Sequence, residues 1–163
     1  MKTTLSALLL ACLLPLAAQA DSGNKYGGEN RGKPVMPATA NKLWQQECGS
    51  CHIAYPPGLL PAPSWTRIMG SLDKHFGEDA SLSPAENKEI TAFLVNNPSN
   101  RWSASTAPLR ISESRWFKSK HDEREIAPEV WKRPSVKSQA NCGACHGGAA
   151  DGDFNERRIR IPR

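Results

Sequence analysis

Cys48-Gly49-Ser50-Cys51-His52 and Cys142-Gly143-Ala144-Cys145-His146 are the residues of this chain best suited to chemistry. In each run two thiols stand about one helical turn apart and can add to the two vinyl groups of one haem. The adjoining histidine is then delivered beneath the iron as its proximal ligand. Small residues between the cysteines let the backbone lie against the porphyrin edge. A zinc half-site or a disulfide pair would use the cysteines and leave both histidines without a role. A thioredoxin-like pair needs a β-rich framework, for which no alternating segment is present. Every cysteine beyond residue 20 lies in one of the two motifs. The expected cofactors are therefore two haem c groups, attached through Cys48, Cys51, Cys142 and Cys145.

Two histidines remain. His75 lies 23 residues after His52, and His121 lies 25 residues before His146. Each half of the chain thus holds one proximal histidine and one candidate distal ligand. An isolated histidine on an apolar face is more often a core residue than a ligand, but each iron here has a sixth position to fill. Methionine is the competitor. Met36 stands between Pro34-Val35 and Pro37, and Met69 reads as core, while no methionine follows residue 69. Pairing His121 with the first haem and His75 with the second stays open, at the cost of interlocking the two halves. Iron held by two imidazoles is low-spin and saturated, and without a thioether ligand it is comparatively reducing. Such a centre passes electrons and has no position for oxygen, peroxide or nitrite.

The elements that must carry these groups read as helices and stiff loops. Thr39 can cap a helix running through Leu43 and Trp44 into Cys48. Residues 53–63 include Tyr55-Pro56-Pro57-Gly58-Leu59-Leu60-Pro61, which cannot be helical. This loop covers a haem edge, and one of its carbonyls can accept the His52 Nδ1 proton. Ser64 is expected to cap a helix whose stripe is Trp65, Ile68, Met69, Leu72 and Phe76, with His75 projecting from it and Gly77 closing it. Ser83-Pro84-Ala85-Glu86 is a capping box opening a helix that buries Ile90, Phe93 and Leu94. Residues 98–110 lack periodicity. Beyond them a short helix runs from Ser112 through Trp116 and Phe117 to about His121, a second opens at Pro128, and a third leads from Ser135 into Cys142. The fold class is all-α with long loops. The divisions expected are a signal peptide over 1–20, a flexible lead-in over 21–38, a haem lobe over 39–97, a linker over 98–110, a second haem lobe over 111–154, and a basic tail over 155–163, read as solvated ahead of the alternative of a docking surface for an acidic partner.

Composition agrees with this division. Lys2, the apolar run Leu5 to Leu16 and Ala18-Gln19-Ala20 make a secretory signal cleaved after Ala20, too short to span a membrane. Leu9-Leu10-Ala11-Cys12 resembles a lipobox, but the apolar Leu13 to Leu16 follows where a polar tether belongs. Nothing else could cross a membrane, so the mature chain is expected to be soluble, and the export signal places it in the periplasm. Removal of Lys2 leaves 20 Lys and Arg against 16 Asp and Glu. Four haem propionates would cancel that excess, and no stacking motif points to nucleic acid. With 13 prolines and a modest apolar fraction, two such small lobes would hold thin cores. Haem would supply the missing apolar interior.

Beyond the two motifs, the chain resembles the small periplasmic dihaem cytochromes c of the DHC type. The resemblance is carried by Trp44 to His52, Ala54 to Pro61, Leu72 to Gly77, Arg110-Ile111-Ser112 with Arg115-Trp116-Phe117 and His121, and the run from Cys142 to Phe154. It implies an N-terminal lobe similar to class I cytochrome c and an irregular C-terminal lobe with short helices. It also implies that His52, His75, His121 and His146 are the iron ligands, with His75 and His121 distal. The implied acceptor is an oxygen-binding monohaem cytochrome c, and the implied donor a membrane cytochrome b. Two other functions compete with the electron carrier. One is a dihaem peroxidase or reductase with a displaceable ligand, for which no distal acid or base stands out. The other is an electron-transfer subunit of a larger reductase, similar to the dihaem subunit of periplasmic nitrate reductase.

Overall fold

The computed structural model describes residues 34–100 and 107–163. The expected signal peptide, residues 21–33 of the lead-in and 101–106 of the linker lie outside the described residues. Four α-helices carry the described chain: α1 (Lys42–Cys48), α2 (Ala62–Met69), α3 (Pro84–Asn96) and α4 (Arg115–Lys120). Short 3-10 turns join them, and among the described residues there is no strand, only two isolated bridges. The all-α expectation holds. No helix among the described residues is long and apolar enough to cross a membrane.

Local chemistry explains where the helices begin and end. The cap of α1 is Asn41, not Thr39: its Oδ1 accepts the Trp44 amide at 2.7 Å, an arrangement for which asparagine is among the best side chains. The α2 helix starts at Ala62, two residues ahead of the expected Ser64. Pro63 fits its first turn, where no amide donor is needed. Ser64 is instead fully buried, and its hydroxyl donates to the Pro108 carbonyl at 2.6 Å. The Ser83–Glu86 capping box is formed as expected at the start of α3.

The expected stripe to Phe76 is broken. The α2 helix stops at Gly70, Leu72–Lys74 make a 3-10 turn, and His75 follows in an isolated bridge to Glu78. Phe76 takes φ +54° and Gly77 φ +111°, a left-handed reversal that glycine accepts freely and phenylalanine does not. His75 therefore sits on a tight turn and not on a helix face. The helix expected from Ser135 to Cys142 is also absent. Lys137 at φ +69° interrupts it, Asn141 Nδ2 donates to the Val136 carbonyl, and Cys142–Ala144 form a single 3-10 turn. The Pro128 segment is a 3-10 turn over Pro128–Lys132, and Ser114 caps α4 by accepting the Phe117 amide.

One core gathers Trp44, Leu60, Trp65, Ile68, Met69, Ile90 and Leu94, with Met36 and Ile111 against it. Full burial of each Leu or Ile stabilises the fold by roughly 1.5–3 kcal/mol. The Trp65 indole donates to Pro57 O at 2.7 Å, which anchors the proline-rich loop to α2. Gly58 lets residues 34–38 lie against that loop: a Cβ there would stand 2.5 Å from Val35 Cα, and the Gly58 amide donates to Val35 O at 2.8 Å. Phe117, Val130, Val136 and Ala149 are also buried, outside that core.

Candidate haem-binding sites

The two C-x-x-C-H runs are presented differently. Cys48 closes α1, whereas Cys142 opens a 3-10 turn in which the His146 amide donates to Cys142 O at 2.8 Å. Burial pushes the Cys48 thiol up to about 11, helped by Glu47, and burial alone is the main cause that pushes Cys142 to about 11. Among the described residues, no three His, Cys, Asp or Glu side chains converge as a metal cage.

The four histidines meet in two pairs. The ring centres of His52 and His75 are 6.2 Å apart with planes at 29°. Those of His121 and His146 are 6.1 Å apart with planes at 67°. A metal held between two imidazoles would take about 2 Å per metal–nitrogen bond and roughly 1.1 Å from each nitrogen to its ring centre, which would place the two rings about 6 Å centre to centre. The residues present fit a haem in both places, and each pair joins a motif histidine to the histidine of the same half.

Hydrogen bonds orient the rings. His52 Nδ1 lies 2.7 Å from Ile53 O, and His121 Nδ1 lies 3.0 Å from Phe117 O. A carbonyl can only accept, so Nδ1 carries the proton and Nε2 is left bare for a metal. The expected carbonyl on His52 is supplied by Ile53, just ahead of Tyr55. His75, His121 and His146 are all held below the usual imidazole range, each mainly by burial. His52 and Arg110 add to this at His75, Lys120 at His121 and His121 at His146, while the Phe117 carbonyl opposes it at His121 and Asp153 at His146. Neutral imidazole is the ligating form.

Aromatic side chains complete both sites; the sequence places Phe117 on the face of His121 and Tyr55 in the loop at a haem edge, and assigns no site role to Phe76, Trp131 or Phe154. Phe117 stacks on His121 at 4.1 Å and 12°, with Trp131 at 6.0 Å, and Phe154 meets His146 edge-on at 5.4 Å. Phe76 meets His75 edge-on at 4.9 Å, and the Arg110 guanidinium lies 4.1 Å over the Phe76 ring, so residue 110 steadies the His75 turn through a cation–π contact. Tyr55 stacks on His52 at 4.7 Å, and its hydroxyl donates to Ala140 O at 2.6 Å, two residues before Cys142. The i,i+4 spacing of Phe117 and His121 was a visible signal. The other contacts depend on chain reversals that no local pattern announces.

Comparison with known proteins identifies the family. The family described as "Dihaem cytochrome c" (DHC) matches residues 44–154. A structure of the dihaem cytochrome c from Rhodobacter sphaeroides is 42% identical with a TM-score of 0.66, over 71% of this chain and 98% of that one. A second structure, of DHC purified from Rhodobacter sphaeroides, is 47% identical with a TM-score of 0.63, over the same shares. The X-ray structure of a dihaem cytochrome c from Shewanella baltica OS155 is 36% identical with a TM-score of 0.66, over 75% of this chain and 93% of that one. None of the curated proteins compared matches the chain. Two covalently bound haem c groups account for both C-x-x-C-H motifs, and the chain belongs to the dihaem cytochrome c family.

Proposed function

We propose that this protein is a periplasmic carrier of single electrons in which both haem irons are held by two imidazoles. His52 and His75 serve the haem attached at Cys48 and Cys51, and His121 and His146 serve the haem attached at Cys142 and Cys145. The observation that carries this reading is the ring spacing of about 6 Å in both pairs. When bound, each haem supplies a one-electron couple. The chain's part would be to supply the His52 and His75 pair and the His121 and His146 pair and to hold these imidazoles still. The carbonyls of Ile53 and Phe117 do this from Nδ1, and the rings of Tyr55 and Phe117 do it from the flat faces. Residues 39–97 and 111–154 then act as one haem lobe each, with residues 1–20 as the export signal. The resemblance to dihaem cytochromes of the DHC type supports an oxygen-binding monohaem cytochrome c as acceptor and a membrane cytochrome b as donor.

Carbon monoxide added to the fully reduced protein tests the reading. An unchanged Soret band supports saturated irons and an electron carrier. A shift of about half the haem absorbance reveals a replaceable ligand and favours a peroxidase or reductase.

A further inference from the structure

The basic run at 155–163 is not a free tail. The Arg160 amide donates to Cys145 O at 3.0 Å, and Arg133 Nη1 donates to Pro162 O at 2.5 Å. Asn155 caps the 3-10 turn Glu156–Arg158, Lys120 pairs with Glu156 at 2.7 Å, and Arg158 pairs with Asp153 at 2.6 Å. The segment is a strap bonded to the backbone of the second attachment motif, and it lies beyond the residues matched by the family.

The charge of the chain is concentrated there. Residues 21–131 carry 13 basic and 13 acidic side chains, whereas residues 132–163 carry seven basic and three acidic ones. The whole excess therefore belongs to the segments around the second motif. Two of the three acids, Asp153 and Glu156, are engaged in the ion pairs above, while Arg157, Arg160 and Arg163 form no ion pair among the described residues and are exposed. In haem the propionates stand on the edge opposite the vinyl carbons that bind cysteine. They offset these charges over the molecule but not at the cysteine edge. A fixed cationic collar beside a redox centre steers and orients an oppositely charged partner.

We infer that the strap at 155–163, pinned beside Cys145, is the docking surface through which the second haem meets a one-electron redox protein with an acidic rim around its own centre. This rests on the electron-carrier reading above. An acidic flavodoxin serves as the probe. Its binding to the doubly haem-loaded protein is measured by calorimetry at low and at moderate salt, and its one-electron transfer from reduced flavin to ferric haem by stopped flow. The variant Arg157→Gln/Arg160→Gln is compared with Lys42→Gln/Lys88→Gln, which removes the same charge from exposed sites on α1 and α3. The strap variant is expected to bind about tenfold more weakly at low salt and to lose most of its salt dependence, with electron transfer slowed in parallel. The α1/α3 variant should stay near wild type, and Arg157→Lys/Arg160→Lys should restore binding. Equal losses in both glutamine variants, or no loss in either, overturn the docking surface. Failure of the electron-carrier reading is seen separately, as carbon monoxide binding by the wild-type protein.

Discussion

The hydroxyl of Tyr55 donates to the Ala140 carbonyl at 2.6 Å across 85 positions of sequence, while the same ring stacks on His52 at 4.7 Å. One side chain thus touches the histidine of the first motif and the turn that leads into Cys142 of the second. Burial, with Cys142 adding to it, pushes the phenol up to about 12, so it remains a donor at any ordinary pH. Gly143 is close by as well, since a Cβ there would meet Ile53 Cγ2 at 3.8 Å.

Tyr55→Phe keeps the ring and deletes the donor. It should cost about 1 kcal/mol and lower the Tm by roughly 2–4 °C, with both haems still attached. Tyr55→Ala, which also loses the stacking on His52, should cost more and slow electron exchange between the haems. Thermal scans followed in the Soret region check the order; equal Tm values in all three proteins would show the link to be inert.

The distal assignments predict separable defects. His75→Ala should make one haem high-spin and carbon monoxide-reactive, and His121→Ala the other, each leaving its neighbour low-spin. Near-infrared and Soret spectra report this directly. Two unaltered low-spin haems in either variant would remove that histidine from the ligand set.

The two imidazole pairs differ in plane angle, 29° for His52 and His75 against 67° for His121 and His146. Near-parallel axial planes split the iron d orbitals of a ferric low-spin haem, and near-perpendicular planes leave them almost degenerate. Electron paramagnetic resonance of the oxidised protein should show one resolved rhombic signal and one broad, highly anisotropic low-field signal. His121→Ala should abolish only the broad one. Two identical rhombic signals would contradict the geometry.

Gly58→Ala places a methyl against the Val35 backbone, so residues 34–38 must move away from the proline-rich loop. Overpacking of this kind costs about 1–3 kcal/mol. The denaturant midpoint should fall by a matching amount, with haem content unchanged. An unaltered midpoint would mean that residues 34–38 contribute nothing to stability.

Legibility in the sequence followed the range of the physics. The C-x-x-C-H runs, the Ser83–Glu86 capping box and the proline-rich loop were readable because each is a covalent or one-turn constraint set by a few adjacent residues. With four histidines in the chain, the candidate ligands are confined to four positions by sequence alone. Placement on helices was less secure. His75 was expected on a continuous stripe, yet the chain turns at Gly70 and reverses at Phe76, because a site facing His52 needs a turn that helical periodicity does not encode. The same limit hid the Arg110 contact to Phe76, the Tyr55 bond to Ala140 and the strap bonded to Cys145. The residues alone thus determined which atoms could hold two haems. Only the tertiary structure decided which histidines face each other, at what angle, and where the excess positive charge is held, since these depend on contacts whose partners lie tens of residues apart.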